Sequence, residues 1–146
     1  MHFNILTIFP EMFPGTLSGG VVGRALDKKI WSYDTINIRD FAINKYGSVD
    51  DTQFGGGAGM VMRPDALGDA IDSVKNRGKI IYFSPRGPTL NQKMVREFVS
   101  TPDATYTLLC GRYEGIDQRI IDEYDIILFS LNEYLYCITL QSSEHE

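Results

Sequence analysis

Apolar runs punctuated by proline and glycine alternate along this chain with stretches of helical period. The run FNILTIF, closed by Pro10, reads as a buried first strand. In VVGRALDKKIW, Val21, Val22, Ala25 and Ile30 fall near one helical face, and lysines gather toward the end, where the helix dipole favours cations. DTINI is the second strand. Further on, RPDALGDAIDSVKNRG predicts a helix with Pro64 in its first turn and Gly78 after its end. KIIYFSP is a strand stopped by Pro85, TLNQKMVREFVS a helix, ATYTLLCG a strand, GIDQRIIDEY a helix and DIILFSL a last strand. Strands alternating with helices predict an α/β fold, a parallel sheet with helices on both faces. From Arg39 to Met60 no periodicity is sustained, which predicts a long loop ending in FGGGAGM. Loops of that length in a compact domain serve function or mobility.

Composition narrows the picture. At 146 residues, 43% hydrophobic and 12% aromatic, the chain fits one folded domain with a real core, and no repeat or linker divides it. Its 14 Lys and Arg face 19 Asp and Glu, a net charge of -5, so it lacks the overall basic excess of a nonspecific nucleic-acid binder. A local basic site is still compatible with that balance. Cys110 and Cys137 sit in apolar surroundings without a CxxC spacing, and His2 and His145 lie near opposite ends, so the sequence shows no metal-ligand cluster. With no signal peptide or membrane-length apolar run visible, a reduced, cytoplasmic protein is expected. Cys110 reads as a structural thiol, Trp31 as a packing residue, Met60 and Met62 as core fillers, and DKK as a solvated helix end.

Chemistry concentrates in glycine-bearing loops. In parallel sheets ligands collect beyond the carboxyl ends of the strands, where YFSPRGP and CGRYEG are expected to lie. There Gly111 and Gly115 would let backbone N–H groups approach a ligand or bend sharply, while Arg112 and Glu114 would face the same crevice. The plain alternative is a strand-to-helix turn with surface charges. The third stretch, VDDTQFGGGAGMVM, is neither a Walker loop, since Gly59 is followed by Met60 and Val61, nor a GxGxxG fingerprint. Gly55, Gly56, Gly57 and Gly59, with Asp50 and Asp51 just before them, suit either a mobile surface loop or a substrate lid.

Taken together, FPEMF, VDDTQFGGGAGMVM and LCGRYEGIDQR, with GRALDKKI, RDF and YFSPRGPTLNQ, closely resemble the bacterial tRNA (guanine-N1)-methyltransferases, the TrmD family of the SPOUT superfamily. The resemblance covers about residues 1 to 130. It implies a SPOUT-type trefoil-knot methyltransferase fold, a homodimer with active sites at the subunit interface, S-adenosylmethionine as cofactor, and methylation of N1 of the guanine immediately 3′ of the anticodon of tRNA. It also implies a cofactor pocket of three loops. The first is Tyr82, Phe83, Ser84, Pro85 and Gly87, and the second is Leu109, Cys110, Gly111, Arg112 and Tyr113. The third begins at Ser130 and runs through Leu131, Asn132, Glu133, Tyr134, Leu135 and Tyr136. Glu114, Arg112 and Asp50 become the catalytic candidates, with Glu114 also the candidate ligand of a magnesium ion. Guanine N1 carries a proton that a base must remove, and a cation should stabilise charge developing on O6.

The third loop departs from the pattern. Where the family reads approximately S-I-G-D-Y-x-L-S-G-G-E, this chain has SLNEYLYCITLQSSEHE, so residues 131 to 146 are divergent. A β-branched and aromatic run cannot reproduce a glycine-rich bend. The resemblance places the family's C-terminal helical domain, with the aspartate that takes the N1 proton, beyond Glu146. The expectation is weak or absent methylation by this chain alone, with a non-catalytic, dimerising α/β fragment retaining part of a cofactor cleft as the alternative.

Overall fold

The structure, a computed structural model, describes residues 1–43, 46–52, 59–101, 103–112 and 115–131. Five parallel strands form its sheet: β1 (His2–Thr7), β2 (Ser32–Asn37), β5 (Lys79–Phe83), β6 (Thr105–Leu109) and β7 (Ile127–Phe129), in the order β2-β1-β6-β5-β7. A short antiparallel pair, β3 (Asp50–Thr52) and β4 (Met60–Met62), interrupts the connection between β2 and β5. The helices are α1 (Gly20–Asp27), α2 (Pro64–Ser73), α3 (Gln92–Val99) and α4 (Gln118–Glu123).

Side chains alternate across the sheet, so each strand feeds two cores. On one face Leu6, Ile80, Tyr82 and Leu109 pack with Ala66, Leu67, Ala70 and Ile71 of α2 and Ile120 and Ile121 of α4. On the other, Ile81, Tyr106 and Phe129 meet Met94 and Phe98 of α3. Trp31 stands edge-on to Phe3 on this second face and donates its indole N–H to the Val22 carbonyl, tying down the first turn of α1. Burial on both faces explains why the strands read as continuous apolar runs, and Trp31 packs as expected.

Local chemistry sets the element ends. Pro64 occupies the first turn of α2, where a missing N–H costs nothing. Asn91 and Asp117 cap α3 and α4 by accepting from the N–H groups of Met94 and Arg119. Four expectations need correction. The apolar face of α1 points outward, with Val21 72% and Val22 46% exposed, and Ile30, expected on the same face, lies past the helix and is 64% exposed. Met62 is fully buried, whereas Met60 is exposed. The supposed loop from Arg39 to Met60 contains β3 and meets β4 at its end; three-residue strands are too short to show a period. Helix α2 stops at Ser73, well before Gly78. Gly78 serves the entry to β5: its φ is +54°, and a β-carbon there would collide with the Thr105 carbonyl.

The strand that carries the expected third loop ends at Phe129, and residues 132–146, on which the expected knot would depend, lie outside the described residues.

Candidate functional site

Strands β6, β5 and β7 are neighbours, so the segments leaving their carboxyl ends stand side by side. These segments begin with Cys110, Ser84 and Ser130, the three loops marked in the sequence. The first and third are laced together: Ser84 N–H donates to the Phe129 carbonyl at 2.8 Å, Ser130 N–H to Pro88 at 2.8 Å, and Leu90 N–H to Ser130 at 2.7 Å. Gly87 sits inside this lacing, where a β-carbon would lie 2.6 Å from both the Leu128 carbonyl carbon and the Phe129 nitrogen.

The first and second loops meet through Tyr82. A β-carbon on Gly111 would lie 2.6 Å from Tyr82 Cε2, so only glycine lets the second loop settle against the buried ring. Gly115 adopts φ +131°, a conformation that favours glycine, and the Tyr82 hydroxyl approaches that turn. Burial pushes the Tyr82 phenol above its usual pKa, against the opposing pull of Arg86, so the hydroxyl stays protonated at neutral pH. Ser84 is buried and its Oγ accepts from the Arg86 N–H. Phe83 and Leu131, 39% and 52% exposed, present apolar surface at the mouths of their loops. Cys110 is half-buried, its N–H bonded to the Leu6 carbonyl, and burial raises its thiol pKa, which fits a structural thiol.

The β3–β4 hairpin docks on the second loop. Met62 N–H donates to the Gly115 carbonyl at 3.1 Å, Met62 bridges Ile116, and Asp50 lies opposite Met62 in the hairpin. Asp50 is therefore carried to the edge of the loop that contains Arg112, and its carboxylate accepts from the Ser48 hydroxyl. Arg63, beginning α2, makes a bidentate pair with Asp65 at 3.1 and 2.7 Å.

Two residues outside the sequence-derived site also reach this edge. Beyond β1, the Phe9 ring is approached by two guanidinium groups, that of Arg112 with its carbon 5.2 Å from the ring centroid and that of Arg39 at 6.0 Å. A cavity of about 540 Å³ opens here, lined by Thr7, Phe9, Met12, Phe13, Leu17 and Arg112 among others. FPEMF marked the segment in the sequence, but nothing local linked Phe9 to Arg39 across thirty positions. Of the remaining candidates, Tyr113, Glu114 and Asn132, Glu133, Tyr134, Leu135 and Tyr136 lie outside the described residues, as do Gly55, Gly56 and Gly57. Among the described residues, no group of three His, Cys, Asp or Glu could hold a metal ion, and no helix is long and apolar enough to cross a membrane.

A parallel sheet with loops crowded at the carboxyl ends of adjoining strands defines an α/β protein of the class that binds ligands at that edge. More narrowly, the chain belongs to the tRNA (guanine-1)-methyltransferase TrmD family, whose family model matches residues 1–139. The match passes the point near residue 130 where motif agreement fades. Among curated relatives, the tRNA (guanine-N(1)-)-methyltransferase of Wolbachia pipientis wMel is 53% identical over 140 residues, and that of Rickettsia akari (strain Hartford) is 49% identical over 138. Each alignment covers 92% of this chain, which spans 58% of the relative's length.

Proposed function

We propose that this chain forms the cofactor-binding part of an S-adenosylmethionine-dependent tRNA methyltransferase acting on guanine N1, the base immediately 3′ of the anticodon. One observation carries the reading: the three loops that the family resemblance marks leave three adjoining strands and are joined through Tyr82, Gly111, Gly87 and Ser130. The residues present suit an adenosine-bearing ligand. Phe83 and Leu131 offer exposed apolar surface for a flat base, and exposed Gly111 offers backbone polar groups without a side chain.

The cofactor supplies an electrophilic methyl group on a sulfonium sulfur. The chain's own residues supply placement: the rigid contact between Tyr82 and Gly111 sets the width of the cleft, and proximity in such a cleft accounts for several orders of magnitude of rate. Arg112, on the β1 side of the same loop, is suited to face negative charge developing on the guanine or a phosphate. Asp50 approaches from the hairpin, and Glu114 remains the candidate for the base edge or a magnesium ion. No step is assigned to that metal.

A homodimer is part of the proposal. Met12 and Leu17, 65% and 42% exposed, line the cavity beside Arg112, and Val21 and Val22 of α1 are 72% and 46% exposed, apolar surface suited to a second copy. We assign the protein to the cytoplasm, where its tRNA substrate resides.

Ultraviolet crosslinking of methyl-labelled S-adenosylmethionine, followed by peptide mapping, tests this reading. Label is expected on peptides containing residues 82–87 and 109–112. Label spread evenly over the chain, or absent, contradicts it.

A further inference from the structure

We propose that Arg39, Phe9 and Arg112 form a phosphate clamp for the RNA backbone, with Arg39 as a positioning residue. The assignment rests on the tRNA-methyltransferase reading. The three residues follow β2, β1 and β6, adjacent strands in the order β2-β1-β6, so they share one stretch of the sheet's carboxyl edge. Phe9 holds both guanidinium groups, at 5.2 and 6.0 Å from its ring centroid. A guanidinium lying on an aromatic ring keeps its N–H donors directed outward in a fixed plane, the geometry that suits a phosphate.

Arg39 is built into this position. Asn37 accepts from its backbone N–H at 3.1 Å and its Nη1 donates to the Gly47 carbonyl at 3.3 Å, which leaves further guanidinium donors for a ligand. Among the described residues no carboxylate pairs with Arg39, whereas Arg63, Arg77 and Arg119 all have carboxylate partners. The clamp lies at the rim of the cavity that Phe9 and Arg112 line, so a phosphodiester held here places its nucleotide beside the candidate site. It also supplies a local basic site in a chain of net charge -5.

The test is fluorescence anisotropy of a labelled anticodon stem-loop RNA, titrated with the 146-residue chain over a range of salt concentrations. Arg39→Ala is expected to weaken binding about tenfold and to lower the slope of log K against log salt by about 1. Arg39→Lys should keep the slope but recover only part of the affinity, since lysine retains the charge without the planar stack. Melting curves establish that each variant folds; if Arg39→Ala does not, Arg39→Lys and Phe9→Leu decide, and both must bind RNA more weakly than wild type. Unchanged affinity and slope in the folded variants, or no RNA binding by the wild type, overturns the clamp. Calorimetry of the wild type with S-adenosylmethionine separates the two readings: cofactor binding without an Arg39 effect removes the clamp alone, and absent cofactor binding removes the methyltransferase reading.

Discussion

The ring of Tyr82 lies so close to the backbone of Gly111 that a β-carbon on the glycine would stand 2.6 Å from Cε2. This contact joins the loops after β5 and β6, and it converts a flexible residue into a fixed wall. Gly111→Ala should destabilise the fold by about 1–3 kcal/mol, the usual range for forcing a methyl group into a packed region. In a Tyr82→Leu background the added cost should shrink, because the obstructing ring is gone. Thermal melts of the four proteins in the cycle provide the check; equal costs in both backgrounds would show that the contact does not matter.

Gly87 faces a different obstacle. A β-carbon there meets the backbone of Leu128 and Phe129, which cannot rotate away as a side chain can. Gly87→Ala should therefore cost more than Gly111→Ala, and no side-chain truncation nearby should restore it. Chemical denaturation compares the two variants directly.

Stability should fall in acid for an identifiable reason. The side-chain hydrogen bond from Arg63 is the chief cause holding the Asp65 carboxyl below its usual range, and that from Arg119 does the same for Asp117. A carboxyl depressed in the folded state adds stability above its unfolded pKa, about 4, and loses it as pH falls through the folded value. Asp65→Asn and Asp117→Asn should each flatten the decline in melting temperature below about pH 4. Asp117→Ala should also cost about 1 kcal/mol at neutral pH by removing the cap of α4. An unchanged acid profile in both Asn variants would contradict the pairing.

Cys110 offers a probe of the cofactor edge. Burial raises its thiol pKa, so alkylation at about pH 8 in a Cys137→Ser background should be slower than that of a free cysteine. S-adenosylmethionine should slow it further, since Cys110 opens the second loop. Rapid labelling that ignores the cofactor would place the ligand elsewhere.

Much of this architecture was legible in the residues. Continuous apolar runs such as KIIYF mark strands covered on both sides, and Pro64 marks the first turn of α2, whereas the capping roles of Asn91 and Asp117 show only in the structure. Contacts between distant positions were not legible. That a β-carbon on Gly111 would meet the ring of Tyr82, and one on Gly87 the backbone of β7, shows only in the folded chain. Likewise α1 has an amphipathic pattern that implies a buried stripe, yet Val21 and Val22 face outward because little of this chain lies over them. Arg39 stands in the sequence only within RDF and at the start of the aperiodic stretch, since its meaning depends on Phe9.

Binding of the methyl donor by the loops after β5, β6 and β7 is the proposal on which the rest depends, and calorimetric titration of the 146-residue chain with S-adenosylmethionine decides it. Its oligomeric state should be measured in the same sample. Saturable, micromolar binding by a dimer, reduced in Gly111→Ala, is the expected result. A titration with no binding heat, from a chain whose melting curve shows it folded, would overturn the proposal.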